Sequence, residues 1–388
     1  MQRLKERVVA EVEAHRSQLI DLSLKIHGFP ELGFKEVKAA EWLTDFLEGK
    51  GFEVEGGFCQ LPTAFKAVYG QGKPAIAFLA EYDALPGLGH ACGHNIIAAI
   101  AIGAGIAAKI AVNELGGCIL VMGTPGEETY GGKAIMVERG AFEGIDAVMM
   151  VHPGGRDVAL CHSLACISLE VELFGKAAHA SACPERGINA LEALILAFNN
   201  INSLRQHIRE GSRIHGIITS GGEAANIVPA YSKARFLVRA EDREYLEELK
   251  QRVLNCFIAA SLATGASLEH KWGEITYAPL RTNSLLAQLF TQNMESLGRK
   301  VQPPFRHGLG STDMGNVSQV VPAIQPFVAI TPPDTPEHSP EFAAAAASEA
   351  GNRGLLDGAK ALALTAVDLL AEPEVMTRVR DEFLKADT

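Results

Sequence analysis

The chain has 388 residues, 47% of them hydrophobic, which is enough for a sizeable core spread over about two or three domains. A formal net charge of -11 and a pI near 5.6 argue against nucleic acid or an anionic membrane as partner. The seven cysteines are an odd number and most lie inside apolar runs, which favours a reducing, cytoplasmic location.

The N-terminal segment, residues 1–32, is charged and amphipathic, which is typical of a surface helix and unlike a signal peptide. The most apolar stretch, Ile96 to Ala108, stops at Lys109 and is too short to span a bilayer. It predicts a helix buried against a sheet.

Metal-binding residue types follow the strand-like apolar run at residues 75–80. Glu81 and Asp83 come at its carboxyl end, where open α/β sheets place their chemistry. Cys92 and His94 follow, and the glycine between them lets the backbone turn both side chains toward one centre. Alone this is weak evidence, because a cysteine is often just a small buried hydrophobe.

The same arrangement occurs three more times along the chain. Apolar runs at residues 118–123, 147–151 and 323–330 are followed by Glu127 and Glu128, by His152 and by His338, respectively. Five candidate ligands result: Cys92, His94, Glu128, His152 and His338. Because this is more than one tetrahedral ion needs, the sequence predicts a pair of metal ions.

The order of elements predicts two kinds of domain. Up to His152 strands and helices alternate, which indicates an α/β fold, a mostly parallel sheet with helices on both faces. From about Ile167 the order is strand, helix, strand, strand, helix, strand, the pattern of a ferredoxin-like α+β domain. We therefore expect a catalytic domain of residues 1–165 and 280–388, interrupted by an inserted domain of residues 166–279.

Seven motifs together resemble the aminoacylase/carboxypeptidase G family of dinuclear metallopeptidases, peptidase family M20. They are GHACGHN, TPGEE, VHPG, GKAAHAS, NIVPA, GSTDMG and HSPEF, in that order. Within the amidohydrolase branch, the chain most resembles the p-aminobenzoyl-glutamate hydrolase subunits and β-alanyl dipeptidases. The resemblance runs from about Leu19 to Leu370.

The resemblance implies that the five candidate ligands bind two divalent ions, zinc, manganese, cobalt or nickel, and that Glu127 is the general acid/base. It implies that the inserted domain dimerises and that His179 and Asn226 contact substrate, His179 in its own or the partner's site. One position departs from the branch: Asn95 stands where most members have aspartate. We interpret it as a clue to specificity or to the support of the site.

Two of these residues suit the chemistry of amide hydrolysis. Glu127 neighbours a ligand yet can point toward the attacking water and carry its proton; the competing interpretation is a solvated loop carboxylate. His179, in a small-residue loop, could donate a hydrogen bond to the oxyanion; the competing interpretation is a surface or capping histidine.

Four further residues are candidates on chemical grounds. The Asn226 amide could bind a substrate carboxylate or oxyanion, or simply form a turn. Arg239 closes a strand and could clamp a carboxylate, or be an exposed strand-end side chain. Asp83 is expected to orient a ligand histidine, and Asp313 to line the same region, with turn-forming roles as the alternative for both.

The sequence thus predicts a cytoplasmic, homodimeric, dinuclear metal-dependent amidohydrolase. Its substrate would be a small molecule in which an amide joins an acyl group to an amino acid or short peptide. Three alternatives stay open: a dipeptidase for β-alanyl or related dipeptides, a non-catalytic regulatory subunit of a related hydrolase, and a binding module with a structural zinc. The intact Glu127–Glu128 pair speaks against the second, and five widely separated ligands against the third.

Overall fold

A computed structural model of the chain describes residues 1–304 and 309–385. The helices are α1 (Gln2–Ala14), α2 (Arg16–His27), α3 (Val37–Gly49), α4 (His94–Leu115), α5 (Glu127–Tyr130), α6 (Gly132–Glu138), α7 (Ala190–Arg205), α8 (Arg243–Thr264), α9 (Ser284–Ser296), α10 (Met314–Val317), α11 (Pro340–Ala346), α12 (Glu349–Ala371) and α13 (Pro373–Lys385). The strands are β1 (Glu53–Gly56), β2 (Phe65–Gln71), β3 (Ala75–Ala80), β4 (Gly117–Gly123), β5 (Ala147–Met149), β6 (His152–Gly154), β7 (Ala165–Phe174), β8 (Arg213–Ser220), β9 (Tyr231–Ala240), β10 (Ser267–Trp272), β11 (Ala323–Ile324) and β12 (Phe327–Ala329).

The main sheet has six strands in the order β1-β2-β4-β3-β5-β11. Strands β3, β4, β5 and β11 pair in parallel, whereas β2 runs antiparallel to both of its neighbours. The prediction of an α/β fold with a mostly parallel sheet is confirmed. Since parallel strands end at one edge of the sheet, the loops after β3, β4 and β5 emerge side by side.

The predicted strand at residues 323–330 is broken into β11 and β12, with Pro326 in the break. The run at residues 147–151 forms only β5, and His152, expected on the loop after it, begins the short strand β6. Proline has no N–H to donate to a ladder. Hydrogen bonds nevertheless continue across the gap, because His152 N–H donates to the Pro326 carbonyl at 2.8 Å. Strands β6 and β12 then form a separate parallel pair.

Helix α4 lies at the centre of the main core. It is longer than the predicted buried helix and packs on β3 and β4 and against α1, α2 and α12. Its length and apolar composition would suffice to cross a membrane, but 89% of its most apolar window is buried inside the fold. Burial of this kind is what the central helix of a layered α/β core shows.

Residues 163–279 form a compact unit with its own hydrophobic core. Four antiparallel strands lie in the order β10-β7-β9-β8, and α7 and α8 pack on them and on each other. The element order β7-α7-β8-β9-α8-β10 confirms the predicted ferredoxin-like fold. The described residues 309–315 also belong to this unit, which we call the inserted unit. The other compact unit, the main unit, holds residues 1–162, the described part of 280–306, and 316–388 as far as 385.

Candidate active site

Four segments of the main unit bring together six of the side chains singled out in the sequence. Their donor atoms form three overlapping groups, each with all of its donor atoms within 4.8 Å of one another. The groups are Cys92, His94 and His152; Cys92, Glu128 and His338; and His94, Glu127 and Glu128. All five candidate ligands and the candidate general base therefore lie in one cluster, although they come from four separate segments of the chain.

The imidazole of His94 is oriented by a buried carboxylate. Its Nδ1 lies 2.9 Å from Asp83 Oδ1, so Nδ1 donates the hydrogen and Nε2 is turned toward the cluster. Burial alone would lower the pKa of His94, but the charges of Asp83 and neighbouring acids raise it well above its usual value. Such surroundings attract a cation. The other oxygen of Asp83 accepts the Glu128 N–H at 3.0 Å, so one carboxylate fixes two candidate ligands.

His152 and Cys92 face each other inside the fold. The His152 Nδ1 donates to its neighbouring Pro153 carbonyl at 2.7 Å, which leaves Nε2 directed at Cys92 Sγ, 3.4 Å away. Burial raises the pKa of the Cys92 thiol, so a bound cation would be needed to hold it as thiolate at neutral pH.

His338 and Glu128 meet at the more open side of the cluster. The His338 Nε2 lies 3.4 Å from Glu128 Oε1, and its side chain is 50% exposed. The hydrogen bond to Glu128 raises the pKa of His338 above its usual value. The backbone of His338 has a φ of 59°, in the left-handed region that a non-glycine residue rarely adopts. Strain of this kind is concentrated at functional sites.

The donor set suits a transition metal. Two atoms bound to one ion at about 2.0–2.3 Å lie roughly 3–4.5 Å apart. The separations of 3.4 Å (Cys92 to His152), 3.4 Å (Glu128 to His338) and 3.9 Å (His94 Nε2 to Glu128 Oε1) fall in that range. Thiol, imidazole and carboxylate donors are ligands of zinc-like ions.

A buried ion pair beside His94 was not among the predicted site residues. The Lys133 ammonium lies 2.6 Å from Glu81 Oε1, with both side chains at most 1% exposed, and Glu81 Oε2 lies 3.2 Å from His94 Nε2. The only signal in the sequence was the place of Glu81 at a strand end, two residues before Asp83. Lys133 neutralises a carboxylate that would otherwise be buried unpaired.

His179 and Asn226 lie together in the inserted unit. The Ala180 N–H donates to the Asn226 carbonyl at 3.0 Å, and His179 and Ile227 form an isolated β-bridge. The His179 Nδ1 accepts from the Ala182 N–H at 3.2 Å, so in the neutral ring Nε2 carries the hydrogen. Both side chains are exposed, and His179 therefore presents a hydrogen-bond donor to solvent. Their contact with substrate stays a prediction.

Arg239 and Asp313 are also in the inserted unit. Arg239 is half-buried, and its Nη1 donates to Ser311 Oγ at 3.1 Å. Its buried Nε has no hydrogen-bond partner among the residues that the structure describes. Asp313 is fully buried just before α10. The roles proposed for both, in substrate binding and in supporting the site, stay predictions.

Asn95 joins helices rather than facing the ligand cluster. Its side chain is fully buried, and Nδ2 donates to Ser23 Oγ at 2.9 Å and to the Ala346 carbonyl at 3.1 Å. An aspartate could not make either donation when ionised. Asn95 thus ties the start of α4 to α2 and α11.

Thiol, imidazole and carboxylate donors on adjacent loops at one edge of a parallel sheet, with a second glutamate beside them, define a metal-dependent hydrolase. Residues 165–263 match the family model of the peptidase dimerisation domain of M20 enzymes. The chain belongs to the M20 family of peptidases and amide hydrolases.

Curated relatives and solved structures extend this assignment over nearly the whole chain. The chain is 38% identical to the Xaa-Arg dipeptidase of Mus musculus, over 98% of this chain and 92% of the relative. It is 30% identical to a p-aminobenzoyl-glutamate hydrolase subunit of Escherichia coli, over 96% of this chain and 93% of the relative. A dinuclear metal-binding peptidase of the M20 family from Bacillus subtilis shares the fold, with a TM-score of 0.71, 20% identity and coverage of 92% and 99%.

Proposed function

We propose that the protein is a cytoplasmic, homodimeric enzyme that holds two divalent ions and cleaves the amide bond of a dipeptide or an N-acyl amino acid. The observation that carries this proposal is the overlap of the donor groups. Cys92, His94 and Glu128 each belong to two of them, so two neighbouring ions could share ligands. No nucleic-acid or membrane partner is part of the proposal.

The ions that fit this donor set are zinc, manganese, cobalt and nickel. The Cys92 thiolate favours zinc, whereas the imidazoles and carboxylates suit all four. When bound, such ions polarise the scissile carbonyl and lower the pKa of a water molecule.

The chain's own residues would then handle protons and orient the substrate. Glu127 takes the proton of the attacking water and returns it to the departing amide nitrogen. His179 donates from Nε2 to the oxyanion of the tetrahedral intermediate, a role that its accepting Nδ1 supports. Asn226 binds the free carboxylate of the substrate together with Arg239, whose Nε has no partner within the described part of the chain.

Dipeptides ending in arginine are the first substrates to test. The relatives from Mus musculus and Homo sapiens are Xaa-Arg dipeptidases, 38% and 37% identical to this chain over 98% of its length. A net charge of -11 is compatible with a cationic substrate. Dipeptides that begin with β-alanine, p-aminobenzoyl-glutamate and other N-acyl amino acids complete the panel.

The test is metal reconstitution followed by assay. Chelator-treated protein is reloaded with zinc, manganese or cobalt, the bound ions are counted by elemental analysis, and hydrolysis of the panel is measured. We expect two ions per chain and hydrolysis of at least one class, abolished by chelator. At most one ion in active protein contradicts the dinuclear proposal. Two ions without hydrolysis of any class favours the regulatory-subunit alternative.

A further inference from the structure

Glu36 occupies the N-cap position of α3 but does not cap it. Its side chain makes no hydrogen bond to the first turn of the helix. The carboxylate of Glu31 does so instead, accepting the N–H groups of Lys38 and Ala39 at 2.9 Å each. The N–H groups at the start of α3 are therefore bonded by Glu31, and the carboxylate of Glu36 can make a different contact.

That contact is with the loop that carries Glu127 and Glu128. Glu36 is fully buried, and its Oε1 accepts the Gly126 N–H at 2.9 Å. Its Oε2 accepts the Thr63 hydroxyl, also at 2.9 Å. The carbonyl of Thr63 in turn accepts from the buried Tyr82 hydroxyl at 2.6 Å. Glu36 thus links the start of α3 to the residue directly before the two glutamates.

Gly33 and Phe34, which precede Glu36, pack against the same segment. Phe34 has a φ of 61° and its ring stacks on Tyr130 with centroids 4.9 Å apart. A Cβ added to Gly33 would lie 2.9 Å from Gly126 Cα, and one added to Gly126 would lie 2.9 Å from the Phe34 ring. Residues 33–36 therefore contact Gly126, just before the two glutamates, and Tyr130, just after them.

A carboxylate is an expensive group to bury for packing alone. Burial raises the pKa of Glu36 to about 7, and the charge of Asp83 adds to the effect. An uncharged side chain would fill the space without this cost. The hydrogen bond that Glu36 accepts from Gly126 accounts for a polar acceptor at this buried position.

We propose that Glu36 is a positioning residue of the amide hydrolysis proposed above: its bond to Gly126 sets Glu127 for proton transfer and Glu128 for metal binding. The inference rests on the proposed function. Glu36 itself belongs to none of the groups that could hold an ion, and its carboxylate bonds to Gly126 and Thr63. Residues that orient metal ligands in this indirect way typically contribute about 10- to 100-fold to metal affinity or activity.

The test compares Glu36→Ala, Glu36→Gln and the matched control Glu31→Ala, each checked for folding by circular dichroism and thermal unfolding. We expect Glu36→Ala to lower kcat at least about 10-fold with KM within about 2-fold, and to weaken zinc affinity about 10-fold, measured by competition with a chelating dye. Glu36→Gln should stay within about 3-fold of wild type in both, because its amide oxygen can still accept from Gly126. Glu31→Ala should lower thermal stability without changing kcat or zinc affinity.

Folded Glu36→Ala with unchanged kcat and zinc affinity overturns the inference. So does an equal functional loss in Glu31→Ala, because the effect would then come from the stability of α3. If the wild-type chain binds zinc but hydrolyses nothing in the panel, the proposed function fails while the zinc affinities still decide the role of Glu36. A wild-type chain that binds no zinc overturns both.

Discussion

At the residue scale, we propose different tasks for the adjacent acids Glu127 and Glu128. The Glu128 N–H is held by Asp83 and its carboxylate faces His338. We expect Glu127→Ala to abolish turnover while the metal content stays near that of wild type. Glu128→Ala and His338→Ala should lose metal as well as activity, since each removes a proposed ligand. Elemental analysis beside the assay separates the two outcomes.

The magnitude decides whether Glu127 moves the proton. A positioned general base contributes typically about 10²- to 10⁴-fold to the rate. Should Glu127→Ala keep more than roughly a tenth of the wild-type rate, another group must transfer the proton.

The raised pKa of Glu36 predicts a pH-dependent cost in stability. An acid with a folded-state pKa of about 7, above its usual 4.5, stabilises the fold while it is protonated. This contribution to the free energy of unfolding decreases as pH rises above 4.5 and is gone once pH has passed 7. The full loss is about 3 kcal/mol, of which about 2 kcal/mol falls between about pH 5.5 and pH 8. Glu36→Gln has no such charge, so its stability relative to wild type should increase by that amount over this interval.

Urea unfolding of chelator-treated protein measures the effect without a contribution from metal binding. Other titrating groups are common to both proteins and cancel in the comparison. A constant difference between Glu36→Gln and wild type across this pH interval would mean that Glu36 does not titrate there.

At the element scale, the turn into α4 positions two candidate ligands. Gly93 lies between Cys92 and His94 with a φ of 78°, and a Cβ on it would lie 2.5 Å from Pro153 Cγ. The glycine thus permits both the left-handed turn and the close approach of β6, which bears His152. Gly93→Ala should cost about 1–3 kcal/mol in unfolding free energy and lower metal content, because the turn must shift.

Gly87→Ala is the matched control for this prediction. Gly87 also has a positive φ, 72°, but an added Cβ would meet open space. Gly87→Ala should lower the free energy of unfolding but leave the metal content unchanged. Equal loss of metal in both variants would show that backbone strain, and not the contact with Pro153, is responsible.

At the scale of the whole molecule, the inserted unit has two sheet edges of different character. Strand β10 carries exposed Glu269, His270 and Lys271, and charges discourage pairing with another chain. Strand β8 exposes Ile217 (65%) and Ile218 (42%) instead. We therefore expect β8 to form the dimer contact. Ile217→Lys should shift the protein from dimer toward monomer in sedimentation velocity, whereas Leu262→Lys, at an exposed apolar position on α8, should not.

If His179 acts in the partner's site, two inactive chains should complement each other. A hybrid dimer of one His179→Ala chain and one Glu127→Ala chain would contain one intact site, so up to about half of the wild-type activity should return. Verified heterodimers without activity would place His179 in its own chain's site. A fully active monomer would remove the dimer from the mechanism.

Much of this molecule is determined by local sequence. Apolar runs predicted β3 and β4, and the order of elements from about residue 167 predicted the inserted fold, because a strand or helix buries a face that its own residues define. The candidate ligands were found for the same reason: each follows a strand end, and parallel strands end together.

The tertiary structure decided what depends on contacts between distant segments. The bond from Glu36 to Gly126 joins residues 90 positions apart, and the pair Glu81–Lys133 joins two elements. Neither acid lies in a pattern that predicts its partner, because a carboxylate on a loop is usually solvated. The contacts of Asn95 with α2 and α11 could not be predicted either, because no local pattern identifies its distant partners. Local sequence determines which candidate ligands lie at the edge of the sheet. The packing of segments distant in sequence determines which residues orient them.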